Sequence, residues 1–318
     1  MYSKGADSGM TEVEIKKVLN GIRAEKASLP TRYLYDNLGG ILFEAITELP
    51  KYNATRDELD IFREKLDEIA EVLPEKACLI DLGAGSCRKA AHVIPSLQPS
   101  RYVAVDLPSD FFVQSVNSLE NKFPDLTVNS LSVDFSNGFQ VDLVRKLQGN
   151  SSNQEPLVYF YPGSTIGNFK PDESMNFLKN LKADGILVGV DLVKPPEVLL
   201  AAYNDSLGVT AAFNRNALLH LNRDLGTNFN VELWGHEAIY NDKKSRIEMY
   251  LVSLKDQIIE SSHGEIAFKK DQTIHTENSY KFTIDSFSEI LSQAGFNNLN
   301  SFVHSTERYA MFTATKDL

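Results

Sequence analysis

Short apolar runs alternate with longer amphipathic stretches between residues 77 and 193. The apolar runs predict β-strands over residues 79–83, 102–106, 127–135, 156–163 and 185–193. The stretches between them have helical periodicity and predict helices near residues 87–96, 109–122, 138–148 and 172–182. Strands separated by helices of this length form right-handed βαβ units with a parallel sheet.

The pattern changes after Lys194-Pro195-Pro196. Residues 196–222 have a helical pattern, and alternation of apolar and polar positions predicts antiparallel strands over 228–240, 245–254 and 264–270. A helix over 282–296 and strands near 298–304 and 308–315 complete the chain, and Thr11 with Glu14 predicts a capping box for a helix over 11–25. We therefore expect an α/β fold with a doubly wound sheet and a second, smaller α+β lobe. Residues 57–194 with 282–318 would form the sheet domain, and residues 1–56 with 195–281 the lobe.

Composition narrows the class of partner. The 318 residues are 42% hydrophobic and have a net charge of −11, which predicts an ample core and argues against a nucleic-acid partner. The two cysteines have no metal spacing, and the six histidines show no metal-binding motif, so we expect no metal and no catalytic histidine. No apolar run approaches about 20 residues, and the first residues lack a signal-peptide core. We expect a cytoplasmic monomer that acts on a small molecule and does not bind membranes.

The most informative segment is Asp81-Leu82-Gly83-Ala84-Gly85, which follows the first predicted strand. Glycines allow a ligand to lie directly on the backbone, and an acid about 20 residues further on, here Asp106, is typical of a ribose site. Arg88 occupies the third glycine position of the dinucleotide motif, and an acid before the loop suits a cofactor that carries an ammonium group. The loop thus favours S-adenosylmethionine (SAM), although a simple tight turn or an NAD(P)-dependent oxidoreductase is also compatible with it.

Several segments carry a resemblance to one family. They are residues 35–58, 81–89, 160–169, 202–218, 246–253 and 276–282. Together they resemble the SAM-dependent histidine Nα-methyltransferases of ergothioneine biosynthesis, and the motif Gly163-Ser-Thr-Ile-Gly-Asn168 is more specific than the glycine loop. The resemblance implies a class I methyltransferase sheet that binds SAM and a lobe that binds substrate. It also implies three methyl transfers to L-histidine, giving hercynine and S-adenosylhomocysteine.

The resemblance also implies roles for residues near the cofactor. The glycine loop with Gly83 and Gly85, together with Lys89 and Asp106, would hold SAM. Asp134 and Phe135, expected to end the third strand, would hold the adenine. The alternative is that Phe135 belongs to the core and Lys89 is a solvated helix residue.

Substrate residues follow from the same resemblance. Asn168 and Tyr35 are the predicted catalytic residues, and Asn168 would also hold the main-chain groups of the amino acid; as an alternative, Asn168 caps the next helix. The other predicted substrate-lobe residues are Tyr52, Tyr203, Phe43, Met249, Glu277 and Ser279.

Within that set, Glu277 and Ser279 would read the imidazole ring. The alternatives are that the aromatic residues form lobe core and that Glu277 and Ser279 lie on an exposed strand. We expect the substrate to lie in the cleft between the lobes. A sister enzyme for another aromatic amino acid, such as a tryptophan derivative, or a catalytically silent SAM-binding module remains possible from sequence.

Overall fold

The chain divides into two compact units in a computed structural model that describes residues 11–136, 138–148 and 155–316. Unit 1 comprises Met1–Tyr52 and Pro195–Ser279, and unit 2 comprises Asn53–Lys194 and Tyr280–Leu318. Each unit has a hydrophobic core of its own. Both units are therefore assembled from two separate segments of the chain.

Unit 2 is built on a seven-stranded sheet. Its strands, numbered along the whole chain, are β1 Cys78–Leu82, β2 Arg101–Asp106, β3 Thr127–Ser132, β4 Leu157–Tyr161, β5 Gly185–Asp191, β11 Asn297–Val303 and β12 Tyr309–Thr315. Their order is β11-β12-β5-β4-β1-β2-β3. Strands β1 to β5 are parallel to one another, whereas β12 runs antiparallel to both β5 and β11.

The centre of this sheet explains where a ligand can bind. Every residue of β1, β4 and β5 is buried, as expected for parallel strands covered on both faces. The direction of strand order reverses between β1 and β4, and ligands of open α/β sheets bind at the carboxyl ends of strands at such a point. The glycine loop follows β1, and the GSTIGN loop, residues 163–168, follows β4.

The helices of unit 2 are α3 Ala54–Glu71, α4 Ala90–Leu97, α5 Asp110–Lys122, α6 Val141–Gln148, α7 Pro171–Asn180 and α10 Ile284–Gln293. Their starts follow local chemistry. The Ser109 side chain accepts a hydrogen bond from the Phe112 N–H at the start of α5, and Thr283 does the same for Ser286 in α10. Pro171 occupies the first turn of α7, where a missing N–H costs nothing.

The described residues of unit 1 form four α-helices, a three-stranded sheet and a short hairpin. Its helices are α1 Glu12–Arg23, α2 Asn37–Thr47, α8 Pro196–Tyr203 and α9 Val209–Leu225. The sheet has the order β10-β7-β6, with β6 Trp234–Asn241, β7 Arg246–Ser253 and β10 Thr273–Tyr280. The hairpin pairs β8 Gln257–Ile259 with β9 Ile266–Phe268. No helix in the described ranges is both long enough and apolar enough to cross a membrane.

The predicted fold class is confirmed, as is the capping box of α1, in which Thr11 and Glu14 bond each other's backbone N–H. The predicted helix 196–222 is wrong as one element, because the chain turns at Gly208, whose φ is +75°. The Asp205 side chain then accepts hydrogen bonds from the N–H groups of Val209 and Thr210 and starts α9. Two helices result instead of one.

The predicted and observed strands differ more at their ends than in their positions along the chain. The predicted strand 127–135 ends at Ser132, the strand predicted to begin at 228 begins at Trp234, and the strand predicted over 264–270 shortens to Ile266–Phe268. The prediction lacked α2, α3, β8 and β10. Strand β10 lacks apolar alternation because its buried positions include Thr276, Glu277 and Ser279.

Candidate functional site

The glycine loop adopts the conformation that its glycines predict. Gly83 and Gly85 have φ values of +76° and +51°, in the left-handed region that favours glycine. Asp106 ends β2 as predicted, and its carboxylate accepts hydrogen bonds from the N–H groups of Gly85, at 2.6 Å, and Leu107, at 2.7 Å. Burial raises the pKa of Asp106, although these two bonds oppose that effect. The second strand end is therefore tied to the loop that follows the first.

Asp81, the acid that precedes this loop, is only 1% exposed. One of its oxygens accepts a hydrogen bond from the Tyr102 hydroxyl at 2.7 Å. Burial is the main reason that the pKa of Asp81 rises to about 7. Asp81 is thus part of the interior beneath the loop.

Gly83 lies against both the GSTIGN loop and Phe135. A Cβ atom at Gly83 would lie 3.7 Å from Thr165 and 3.8 Å from Phe135, so the glycine loop, the GSTIGN loop and Phe135 face one another there. The Phe135 ring lies 6.1 Å from the Tyr161 ring in an edge-to-face arrangement. A flat, partly apolar group such as an adenosyl moiety fits this combination of bare backbone and aromatic wall.

The prediction that Asp134 ends the third strand is wrong, because β3 stops at Ser132. It lies in the following turn, where its carboxylate accepts hydrogen bonds from the Ser136 N–H at 2.9 Å and from the Ser136 hydroxyl. Phe135 is half-buried against the core of unit 2, which agrees in part with its interpretation as a core residue.

Lys89 is not a solvated helix residue. Its ammonium forms an ion pair at 2.6 Å with Glu58, whose side chain is completely buried. The same carboxylate accepts hydrogen bonds from the Gly163 N–H at 2.8 Å and from the Tyr309 hydroxyl at 2.6 Å. Glu58 therefore ties the helix after the glycine loop to the start of the GSTIGN loop. Glu58 is not among the predicted site residues, because its position within an amphipathic helix gives no signal of this role.

Asn168 lies at the end of a short 3-10 helix, Thr165–Asn168, and is partly buried. The helix-capping alternative is wrong, because the N-cap of α7 is Lys170. A Cβ atom at Gly167 would lie 2.9 Å from the Tyr280 carbonyl oxygen, so the loop requires glycine at this position. Asn168 is thus held by a tightly packed loop at the carboxyl end of β4.

A buried charge cluster supports the other side of the GSTIGN loop. The Asp191 backbone N–H donates to the Ser164 hydroxyl oxygen at 2.9 Å. The Asp191 carboxylate forms ion pairs with Lys194 and, at 2.8 Å, with Lys281, and all three side chains are at most 7% exposed. Burial alone would raise the pKa of Asp191, but the two lysines outweigh it and the pKa is lowered. None of these three charged residues is among the predicted site residues.

The structure brings the predicted substrate-lobe aromatics together in unit 1. The Tyr35 ring lies 5.8 Å from Phe43, Phe43 lies 6.4 Å from Tyr52, and Tyr52 lies 6.3 Å from Tyr203. Phe213, on α9, was not predicted and lies 5.3 Å from Tyr35. These contacts are mostly edge-to-face, which is the favourable arrangement for aromatic rings.

Glu277 and Ser279 lie two residues apart on β10 and therefore on the same face of the strand. Each is only 6% exposed, so the exposed-strand alternative is wrong. The Tyr35 hydroxyl donates to Glu277 at 3.3 Å, and the Tyr203 hydroxyl donates to Ser279 at 2.9 Å. Burial first, and then the Glu277 charge, raise the pKa of Tyr35 well above its usual value, so this phenol stays protonated at neutral pH.

Met249, on β7, is also part of this region. Its side chain is buried in the core of unit 1, against which Tyr35, Phe43, Tyr52 and Tyr203 pack. Of the predicted site residues, those for substrate therefore fall in unit 1, apart from Asn168, and those for cofactor fall in unit 2. No group of three or more potential metal-binding side chains occurs within the part of the chain described.

Residues 14–316 match a protein family that is described as "histidine-specific methyltransferase, SAM-dependent". The chain belongs to this family. It is therefore a SAM-dependent methyltransferase, and the oxidoreductase alternative is wrong. The doubly wound sheet with its glycine loop is the part of the fold that agrees with SAM dependence.

Named relatives cover nearly the whole chain. The histidine N-alpha-methyltransferase of Mycobacterium tuberculosis is 29% identical over 323 residues, which are 98% of this chain and 97% of the relative. Ergothioneine biosynthesis protein 1 of Neurospora crassa is 28% identical over 291 residues, 88% of this chain but 32% of that longer protein. An L-tryptophan methyltransferase of Psilocybe serbica is 27% identical over 331 residues, with coverages of 93% and 91%. The relatives thus include methyltransferases named for two different amino acids.

Proposed function

We propose that the protein methylates the α-amine of L-histidine with SAM, three times in succession, to give hercynine in the first step of ergothioneine biosynthesis. One observation carries the choice of histidine: a buried carboxylate, Glu277, and a buried hydroxyl, Ser279, lie on one face of β10 beside tyrosine rings. A carboxylate can accept an imidazole N–H, and a hydroxyl can complement the other ring nitrogen. The names of the relatives from M. tuberculosis and N. crassa support the same assignment.

We assign the cofactor to unit 2. When bound, SAM supplies an electrophilic methyl group on a positively charged sulfur. Gly83 and Gly85 would leave room for it at the backbone, with Lys89 directed by Glu58 and with Asp106 at the end of β2. Phe135 would cover the adenine and Asp134 would accept from its amino group. These residues bind and orient the cofactor and need no change of charge during the reaction.

We assign recognition of the amino acid to side chains of unit 1, and we propose a separate role for Asn168 of unit 2. The phenol of Tyr203 would orient Ser279, and the phenol of Tyr35 would orient Glu277 as a donor, since its raised pKa disfavours the phenolate. Phe43, Tyr52 and Met249 would form the apolar walls. The amide of Asn168 can accept from an amine and donate to a carboxylate, so it would align the neutral amine for methyl transfer. Recognition through the ring and carboxylate leaves the amine free for further methylation.

Methylation of tryptophan or a tryptophan derivative is the second candidate, because an L-tryptophan methyltransferase is among the relatives. A buried carboxylate such as Glu277 disfavours an indole, which presents one N–H on a larger apolar ring. We also propose that the protein acts as a cytoplasmic monomer. Its two cysteines are free and buried, which suits a reducing compartment. Light scattering of the purified protein tests the oligomeric state.

Mass spectrometry of the reaction products tests the proposal directly. The protein is incubated with SAM and, in parallel, with L-histidine, L-tryptophan or L-tyrosine. We expect histidine to gain one, two and then three methyl groups. Methylation of tryptophan in preference to histidine would overturn the substrate assignment. Binding of SAM without methylation of any amino acid would instead favour a silent binding module.

A further inference from the structure

A chain of hydrogen bonds inside unit 1 links the backbone of Tyr203 to the strand that carries Glu277. The His236 Nε2 atom lies 2.8 Å from the Tyr203 carbonyl oxygen, and its Nδ1 atom lies 2.9 Å from the Asn214 side-chain nitrogen. The Thr276 hydroxyl donates to the Asn214 side-chain oxygen at 2.7 Å. Asn214 and Thr276 are completely buried, and Thr276 precedes Glu277 directly.

Two backbone carbonyl groups determine the direction of every bond in this chain. The Tyr250 carbonyl oxygen lies 3.0 Å from the Asn214 side-chain nitrogen and can only accept, so the amide must present its N–H groups to Tyr250 and to His236. His236 Nδ1 is then an acceptor without a proton. The ring proton must lie on Nε2, where it is donated to the Tyr203 carbonyl. His236 is therefore neutral in this arrangement.

The surroundings of His236 maintain that state. Burial lowers its pKa; the bond to the Tyr203 carbonyl and the carboxylates of Asp205 and Glu237 oppose this effect, and Arg215 adds to it. The net pKa is below the usual value. A proton on Nδ1 would also place two donors face to face across the bond to Asn214. Protonation of His236 therefore breaks its bond to Asn214.

The bonds close into a ring through the candidate substrate site. The Tyr203 hydroxyl donates to Ser279 on β10, while the Tyr203 backbone is connected to the same strand at Thr276 through His236 and Asn214. Asn204, the next residue, exchanges two hydrogen bonds with Ala238 and so anchors the segment on β6. The position of the Tyr203 ring relative to β10 is thus set at both of its ends.

We propose that His236 and Asn214 are positioning residues for the amino-acid substrate, which hold Tyr203 at the correct distance from Glu277 and Ser279. This inference rests on the proposed function, because it assumes that these side chains bind the amino acid. Neither residue touches the substrate in this scheme. Their effect is on binding of the amino acid and on its pH dependence, not on binding of SAM.

Replacement of one link tests the proposal kinetically. His236→Asn retains an acceptor near the Nδ1 position but removes the donor to the Tyr203 carbonyl. We expect the KM for L-histidine to rise about tenfold, because a buried acceptor loses its partner, while the KM for SAM changes less than about twofold. His263→Asn, a partly exposed histidine of the same unit, is the matched control and should leave both KM values unchanged. An unchanged KM for histidine in His236→Asn would overturn the proposal.

A second measurement does not depend on activity. NMR of the full-length protein labelled with ¹⁵N-histidine reports the tautomer of His236, with its signals assigned by their loss in His236→Asn. We expect the neutral Nε2–H form at pH 7, with protonation only below the usual pKa of about 6.5. In Asn214→Asp the carboxylate can only accept, so His236 should keep its second proton to a higher pH. A neutral Nδ1–H form in the wild type would overturn the hydrogen-bond chain.

Failure of the proposal is distinguishable from failure of the proposed function. If the wild type methylates tryptophan instead of histidine, the substrate assignment fails, and the same KM comparison with tryptophan decides the positioning role. Trp234 is the single tryptophan of the chain and is fully buried two residues before His236, so its fluorescence reports the fold of unit 1. Loss of its native signal in His236→Asn, with both KM values raised equally, would indicate a purely structural role and overturn the proposal.

Discussion

Three glutamates are buried among the described residues, and two of them, Glu58 in unit 2 and Glu277 in unit 1, have different kinds of partner. In unit 2 the Glu58 carboxylate binds the Lys89 ammonium at 2.6 Å, the Gly163 N–H at 2.8 Å and the Tyr309 hydroxyl at 2.6 Å. In unit 1 the Glu277 carboxylate accepts a hydrogen bond from the Tyr35 hydroxyl at a longer distance, 3.3 Å. A charged partner with short bonds is typical of a rigid framework, whereas a neutral phenol orients a carboxylate without neutralising it.

This difference in partners indicates how each unit would contribute to the proposed activity. Unit 2 uses ion pairs, Glu58 with Lys89 and Asp191 with its two lysines, to hold the loops that follow β1 and β4. Unit 1 uses tyrosine hydroxyls to present a carboxylate and a serine. Substitution of the buried carboxylates Glu58 and Asp191 should mainly reduce stability, and substitutions in the second set should mainly reduce binding of the amino acid.

The largest effect is expected for Glu58→Ala. It leaves Lys89 without its counter-ion and removes the acceptor of the Gly163 N–H, so the free energy of unfolding should fall by about 3–5 kcal/mol. Urea denaturation followed by circular dichroism measures this change. Glu64→Ala, an exposed residue of the same helix, is the matched control and should change stability by less than about 0.5 kcal/mol. A loss equal to that of the control would remove the framework role of Glu58.

Glu277→Ala tests the other side of the comparison. The buried Tyr35 hydroxyl loses its acceptor and the site loses its charge, so the KM for histidine should rise about 30- to 100-fold, corresponding to about 2–3 kcal/mol. The affinity for S-adenosylhomocysteine, measured by calorimetry, should remain within about twofold. Glu265→Ala, an exposed glutamate of the same unit, is the control. Equal losses of affinity for both ligands would point to misfolding and contradict the assignment.

Asp81→Asn sharpens the comparison, since Asp81 is a buried carboxylate of unit 2 that has a phenol partner, Tyr102. Burial raises the pKa of Asp81 to about 7, against about 3.9 in an unfolded chain, so the folded protein binds more protons between these values. This group therefore makes the protein less stable as the pH rises from about 4 to 7. The variant should be roughly 1–3 kcal/mol more stable than the wild type at pH 8.

The gain in Asp81→Asn should disappear as the pH approaches 4, where the wild-type carboxyl is neutral. Denaturation at both pH values checks this, with the exposed Asp67→Asn as control. A gain that does not depend on pH would mean that the charge of Asp81 is not its cause.

The smallest effect is expected for Tyr203→Phe. It removes one hydroxyl that donates to Ser279 and keeps the aromatic ring, so the KM for histidine should rise about fivefold, near 1 kcal/mol. Steady-state kinetics with histidine as the varied substrate measures it. Tyr240→Phe, on β6, serves as the control and should change nothing. A rise above that of Glu277→Ala would reverse the ranking of the two positions.

Local sequence was sufficient for the parts of the site that depend on backbone geometry. The spacing of Gly83, Gly85 and Asp106 predicted a strand, a tight loop and a second strand end, and all three occur. The tight turn from the strand into the helix needs left-handed φ values that glycine adopts readily, so this requirement is visible within a few residues of sequence. The apolar runs likewise located the strands of the parallel sheet, although not their ends.

Contacts between residues far apart in the chain could not be predicted from local sequence. Glu58 lies on an ordinary amphipathic helix, and β10 consists largely of polar residues, so neither position is distinctive in the chain. The partners of Glu58 at residues 89, 163 and 309, and those of β10 at residues 35, 203 and 214, are separated from them by long stretches of sequence. Periodicity and turn chemistry were thus enough to predict the succession of the parallel strands along the chain, the glycine loop and the class of fold. Which carboxylates are buried, and whether an ammonium or a phenol meets them, depends on tertiary packing, because desolvation and hydrogen-bond geometry arise only when remote segments come together.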